Sequence, residues 1–169
     1  MVSWELSPSG FLKMNFDGSI SEGGSRCGVN FVIRDQELRL IAAGGRRIFD
    51  EFILVAELRA AYEGLVYASV YLEAQRIFLE DDSATLIEWI MCGHARPNLH
   101  PLVRDVCHLL DSFDSFWVTH IFREVNNAAD WIASSVAHHS EALMWEGSGL
   151  IPQSLDRVLS FDFSGHTHI

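Results

Sequence analysis

Leu12-Lys13-Met14-Asn15-Phe16-Asp17 alternates apolar and polar residues, and the alternation breaks at Gly18-Ser19. A period of two belongs to a strand with one buried face. The stretch therefore predicts a first strand that ends on an acid, Asp17. Upstream, residues 1–10 hold Pro8 and Gly10 and read as a lead-in. Downstream, Gly23-Gly24 marks a turn. Cys27 to Arg34 predicts a second strand, and Asp35-Gln36-Glu37 a short polar connection. Leu38 to Ala43 predicts a third strand, stopped by Gly44-Gly45. Three strands with short connections make an antiparallel meander.

The period then changes. Leu58, Ala61, Leu65, Ala68 and Leu72 recur at alternating spacings of three and four, the buried stripe of a helix from about Val55 to Leu72. Arg76 to Leu79 predicts a fourth strand that runs into Glu80-Asp81-Asp82-Ser83, with Ser83 as cap of a helix to about Cys92. Pro101 to Leu110 predicts a further helix, because proline is tolerated in a first turn. Phe116 to Ile121 predicts a fifth strand, and Asn126 or Asn127 caps a last helix to about Ala137. From Gly147 the tail is weakly patterned. The order implies an α/β fold: a five-stranded mixed sheet, three antiparallel strands and then two helix-linked parallel ones, with helices on both faces.

The 169 residues, 49% of them hydrophobic, suit a single domain with a sizeable core, expected over residues 11–146 with 147–169 as a tail. Cys27, Cys92 and Cys107 are scattered and form no C-x-x-C pair, so they read as buried free thiols. Trp117, Trp131 and Trp145 read as core residues, and the histidines as surface or strand-end groups. No apolar run reaches the roughly 18 residues of a membrane span, and no signal peptide is visible, so an intracellular place, nuclear or cytoplasmic, is expected. The net charge is −11, and Lys13 is the only lysine. That balance disfavours general attraction to nucleic acid.

Four acids stand at element boundaries. Asp17 and Asp82 end strands expected to lie side by side and parallel, so both emerge at one sheet edge. Glu57 and Asp130 open helices. Each has an ordinary explanation alone, as a turn residue or a complement to a helix dipole. Four carboxylates crowded together repel one another, and a bound cation relieves that repulsion. Magnesium, a hard ion that prefers oxygen ligands, suits such a set.

Four segments together resemble the ribonuclease H family, in the variant found in plants and retroelement reverse transcriptases. They are Asp17-Gly18-Ser19 after an alternating strand, Ala56-Glu57-Leu58-Arg59-Ala60 in a helix start, Glu80-Asp81-Asp82-Ser83, and His120 through Arg123 and Asn126-Asn127 to Asp130. The resemblance spans roughly residues 4 to 162 and includes Trp145 and Ile151-Pro152 near the end. It implies a two-metal endonuclease that cuts the RNA strand of an RNA–DNA hybrid. Asp17 would bridge two Mg²⁺ ions, which Mn²⁺ can replace. Glu57 and Asp82 would complete one metal's site, and Asp130 the other's. Gly18, Ser19, Arg123 and Asn127 are the expected substrate contacts.

The basic handle that some ribonucleases H carry between the middle helices is missing, since residues 92–101 hold only Arg96. Hybrid binding is therefore expected to be weak and salt-sensitive. A second reading is a catalytically silent module that contacts a protein partner or belongs to a parent polyprotein. A third, a 3′–5′ exonuclease, requires an acid two residues after Asp17, where Ser19 stands. A monomer is expected.

Overall fold

The computed structural model describes residues 8–20, 26–49, 52–96, 98–123, 126–139, 141–147, 149 and 151–164, without the side chains of 137 and 161–164. The turn at Gly23-Gly24, Pro97, Glu124-Val125, His166 and His168 lie outside the described residues.

The strands are β1 (Leu12–Ile20), β2 (Cys27–Arg34), β3 (Leu40–Ile48), β4 (Arg76–Asp81), β5 (Ser115–His120) and β6 (Leu143–Glu146). The helices are α1 (Ile53–Val66), α2 (Ala84–Cys92), α3 (Pro101–Asp111), α4 (Asn127–Ala137) and α5 (Gln153–Ser164). The sheet order is β5-β4-β1-β2-β3-β6. β1, β2 and β3 form the expected antiparallel meander, while β4 runs parallel to β1 and β5 parallel to β4.

The sheet has six strands, not five. Leu143–Glu146 pairs antiparallel with β3, Trp145 opposite Ala43. Four residues are too few for alternation to stand out from the loop around them. Likewise the supposed tail contains α5. Leu155, Val158 and Leu159 have helical spacing, and all three pack into the second core with α4.

Both faces of the sheet are covered. α1, α2 and α3 pack over Met14, Phe16, Phe31, Ile77 and Leu79. On the other face α4 and α5 pack over Val32 and Ala43. Hence β1 is buried on both sides, against the expectation of one, and its polar positions Lys13 and Asn15 lie inside. Lys13 Nζ reaches Glu80 Oε1 at 2.9 Å, and Asn15 Nδ2 donates to Glu80 Oε2 at 3.3 Å. The helical stripe is confirmed: Leu58, Ala61, Leu65 and Ala68 are buried, and the helix loosens into a wider π turn over Tyr67–Tyr71.

β3 runs through Gly44-Gly45 where a stop was expected. A Cβ on Gly44 would lie 2.6 Å from Met144 Sδ and 3.2 Å from the Phe31 ring. Glycine serves there as a place of close approach within a strand. Cys27 and Cys107 are buried free thiols, whereas Cys92 is partly exposed. Trp117 is not a core residue: it is 58% exposed on the sheet's outermost strand.

Candidate metal centre

The parallel pairing of β1 with β4 sets Asn15 opposite Glu80, so the two strands deliver Asp17 and Asp82 to the same edge. Asp17 lies inside β1, which extends to Ile20, three residues past its expected end. Asp82 follows the last residue of β4, and Ser83 caps α2 by accepting a hydrogen bond from the Leu86 N–H at 3.4 Å. Asp130 sits in the first turn of α4 as expected.

Glu57 differs from expectation. α1 begins at Ile53, so Glu57 lies beyond the first turn, and it is buried rather than at the solvent boundary. The helix dipole no longer accounts for this acid, because its effect fades after the first turn. Gly18 explains how Glu57 reaches the site. A Cβ at Gly18 would stand 2.9 Å from the Glu57 backbone nitrogen and 3.1 Å from Ala56 Cβ. Absence of a side chain lets α1 lie directly on β1. Gly18 is itself buried between them, so its role here is to admit the helix.

Burial dominates the electrostatics. It pushes the Asp17 carboxyl up to about 8, helped by the charges of Asp130, Asp82 and Glu57 and opposed by Arg123. Burial and the Asp82 charge push Glu57 up to about 7, against a hydrogen bond from Ser83. Carboxylates respond in this way when burial and like charges both disfavour ionisation. Arg123 is the cation among them, with Nε 3.9 Å from Asp82 and a terminal nitrogen 3.6 Å from Asp130. Its side chain is 80% exposed, so these pairs are weak. Asn127 opens α4 beside Asp130. Ser19 Oγ is buried and finds no partner among the described residues.

Three residues have places at the site that the sequence did not assign them. Asp81, one step before Asp82, is fully buried. Its Oδ1 accepts from the Ser83 N–H at 2.8 Å, and its Oδ2 has no partner among the described residues. Burial, then Glu57, pushes its pKa up to about 9. The triple acid Glu80-Asp81-Asp82 was the available signal. Asn30 and Asn126 donate their amides to the Asp17 and Phe16 carbonyls, both at 3.2 Å, and so clamp β1 on either side of the acid. Asn126 precedes α4 but makes no side-chain cap, contrary to the capping expectation. A lone polar residue inside the apolar run of β2 was the signal for Asn30.

The donor chemistry fits a hard divalent cation. All candidate ligands are carboxylates, and Glu57 Oε2 is buried without a partner among the described residues. Among the described residues, no group of three His, Cys, Asp or Glu side chains is arranged to hold a metal ion as it stands. The four acids of the sequence reading are electrostatic neighbours rather than a closed shell.

The family described as reverse transcriptase-like matches residues 15–136, a span that includes all four acids. The chain belongs to that family. It has the ribonuclease H-like fold. Among solved structures, it is similar to the RNase H1 of the halophilic archaeon Halobacterium salinarum, with 26% identity, a TM-score of 0.65, and coverage of 75% of this chain and 97% of that one. It also resembles an N-terminal RNase H domain from Mycobacterium tuberculosis, at 22% identity and a TM-score of 0.67, covering 76% and 94% of the two chains. A third neighbour, LC11-RNase H1 in complex with an RNA/DNA hybrid, has 18% identity and a TM-score of 0.64, covering 75% and 96%. LC11-RNase H1 was isolated from compost by a metagenomic approach. A comparison with curated proteins finds no significant match.

Proposed function

We propose that this ribonuclease H-like chain is a metal-dependent endoribonuclease that cuts the RNA strand of RNA–DNA hybrids. One observation carries the reading: Asp17 lies within the charge field of Glu57, Asp82 and Asp130, which come from separate parts of the chain, with the exposed Arg123 as a cation beside them. Buried acids left without compensating charge are costly to a fold and suit a site that a cation completes.

Asp17, Glu57, Asp82 and Asp130 would hold two Mg²⁺ ions, with Mn²⁺ as a substitute. The bound ions would activate the attacking water and stabilise the leaving 3′ oxygen. Asn30 and Asn126 keep β1 in place beneath Asp17. Ser83 donates to Glu57 and orients one of its oxygens. Arg123 is exposed and close enough to the acids to contact a phosphate beside the scissile one. The Ser19 hydroxyl, on the same strand as Asp17, has no partner among the described residues. Asn127 flanks the site at the start of α4.

The net charge of −11 favours a second reading, a silent module whose partners are proteins. One experiment separates the two: incubation of an end-labelled RNA–DNA hybrid with Mg²⁺ or Mn²⁺ at low salt, beside single-stranded RNA, duplex DNA and the Asp17→Asn protein. The expected result is metal-dependent cutting of the hybrid's RNA strand alone. Asp17→Asn should lower the rate roughly a thousandfold or more, equivalent to several kcal/mol of lost transition-state stabilisation. A well-folded protein that cuts none of these substrates would overturn the nuclease reading.

A further inference from the structure

The sheet's other notable surface is its outermost strand, β5. Its outer edge has no neighbouring strand among the described residues. Ser115-Phe116-Trp117-Val118-Thr119-His120 contains no lysine, arginine, acid, proline or glycine. Exposed edges are ordinarily guarded by charge, proline, a bulge or a covering element, because their free backbone groups template further pairing. This edge has none of the side chains that guard.

Beside it lies a cleft of about 320 Å³, lined in part by Ile90 and Met91 of α2, Leu110 of α3, and Phe116, Trp117 and Val118 of β5. Met91 is 67% exposed. Trp117 is stacked on Phe78 of β4, with ring centroids 6.4 Å apart. Successive residues of a strand point to opposite faces. A strand laid along β5 would therefore present one of its two faces to the cleft.

Three acids stand around this surface. Glu88 stands one turn before Met91, Asp111 follows Leu110, and Asp114 precedes β5; all three are exposed. Arg96 lies 3.3 Å from Glu88, and the His94 ring, which carries charge only when protonated, lies 3.0 Å from Asp111. A second copy of the chain would bring another net charge of −11. Charge complementarity instead selects a basic partner.

We infer that β5 docks an extended segment of a protein partner, apolar at alternate positions and basic at its ends. The segment adds a strand to the sheet and seats one apolar side chain in the cleft. Backbone pairing supplies affinity in such complexes, and the pocket supplies selectivity. This surface does not depend on the nuclease reading.

The test uses the full chain and a fluorescent peptide of sequence Lys-Arg-Val-Thr-Leu-Thr-Val-Arg-Lys, beside the same peptide with glutamate at every basic position. Binding is followed by anisotropy, and hydrogen exchange locates it. The basic peptide is expected to bind and to slow exchange in β5, and the acidic one is not. Met91→Lys/Trp117→Lys, which alters two exposed side chains, should weaken binding about tenfold or more. Asp17→Asn should leave binding unchanged. Equal binding to the double variant, or protection at the carboxylate edge instead of β5, would overturn the proposal. So would binding of neither peptide, or a dimer whose β5 amides are already protected without peptide.

Discussion

Glu80 and Asp81 are consecutive on β4, and both are buried, but their surroundings differ. Glu80 faces Lys13 at 2.9 Å and Asn15 at 3.3 Å. Burial still raises its pKa, but those partners, together with the charge of the buried Arg34, pull it down. Among the described residues, Asp81 has only a backbone N–H on one oxygen; burial and the charges of Glu57 and Asp82 raise its pKa to about 9. Within one residue of chain the molecule passes from a compensated buried acid to an uncompensated one. The lower half of the β1–β4 pair contains its own cation. The upper half, with Asp17, Glu57, Asp81, Asp82 and Asp130, has mainly the exposed Arg123. The difference separates a structural ion pair from a cluster that an external cation would complete.

The largest expected effect comes from breaking the compensated half. Lys13→Met leaves Glu80 buried without its ammonium partner, which should cost about 3–5 kcal/mol in urea denaturation at pH 7. Adding Glu80→Leu should restore most of that loss, since replacing both partners removes the unpaired charge. A single-variant cost below about 1 kcal/mol would mean that Lys13 contributes little to stability.

The uncompensated half should show itself through pH. Folding raises Asp17 from 3.8 to about 8, Glu57 from 4.5 to about 7 and Asp81 from 3.8 to about 9. Below about pH 4 these carboxyls are protonated in both states. As pH rises further, the unfolded chain releases protons that the folded chain retains. Their contribution therefore turns unfavourable between about pH 4 and pH 9, by on the order of a few kcal/mol. In chelator, melting at pH 8.5 should fall below that at pH 6. Mg²⁺ should flatten the slope, and Asp17→Asn should reduce it without metal. Equal stability at the two pH values in chelator would contradict the cluster's electrostatics.

The smallest effect belongs to Arg123. Its exposure keeps its pairs with Asp82 and Asp130 weak. Arg123→Ala should tighten Mg²⁺ binding by calorimetry roughly twofold to fivefold, under 1 kcal/mol, because a competing cation is gone. Hybrid affinity should fall, and its salt dependence should drop by about one phosphate contact. An unchanged salt slope would place Arg123 away from the nucleic acid.

Much of this architecture is legible in periodicity. Alternation in Leu12–Asp17 and the three-four spacing of Leu58, Ala61, Leu65 and Ala68 follow from backbone geometry, which acts over a few residues. The short β6 and helix α5 were missed because their burial depends on α4 and β3, distant in sequence. Trp117 was misplaced for a related reason: an aromatic in a strand is core or surface according to whether another strand lies beside it.

The sequence by itself determined the meander followed by helix-linked strands, and the four acids with their segments. Local pattern and residue chemistry carry that information. Only the tertiary structure decided which acids are compensated. It paired Lys13 with Glu80 rather than Asp81, buried Glu57 through the missing side chain of Gly18, and left β5 at the sheet's edge. Those outcomes depend on distances across the sheet, and solvation and charge coupling are set there rather than along the chain.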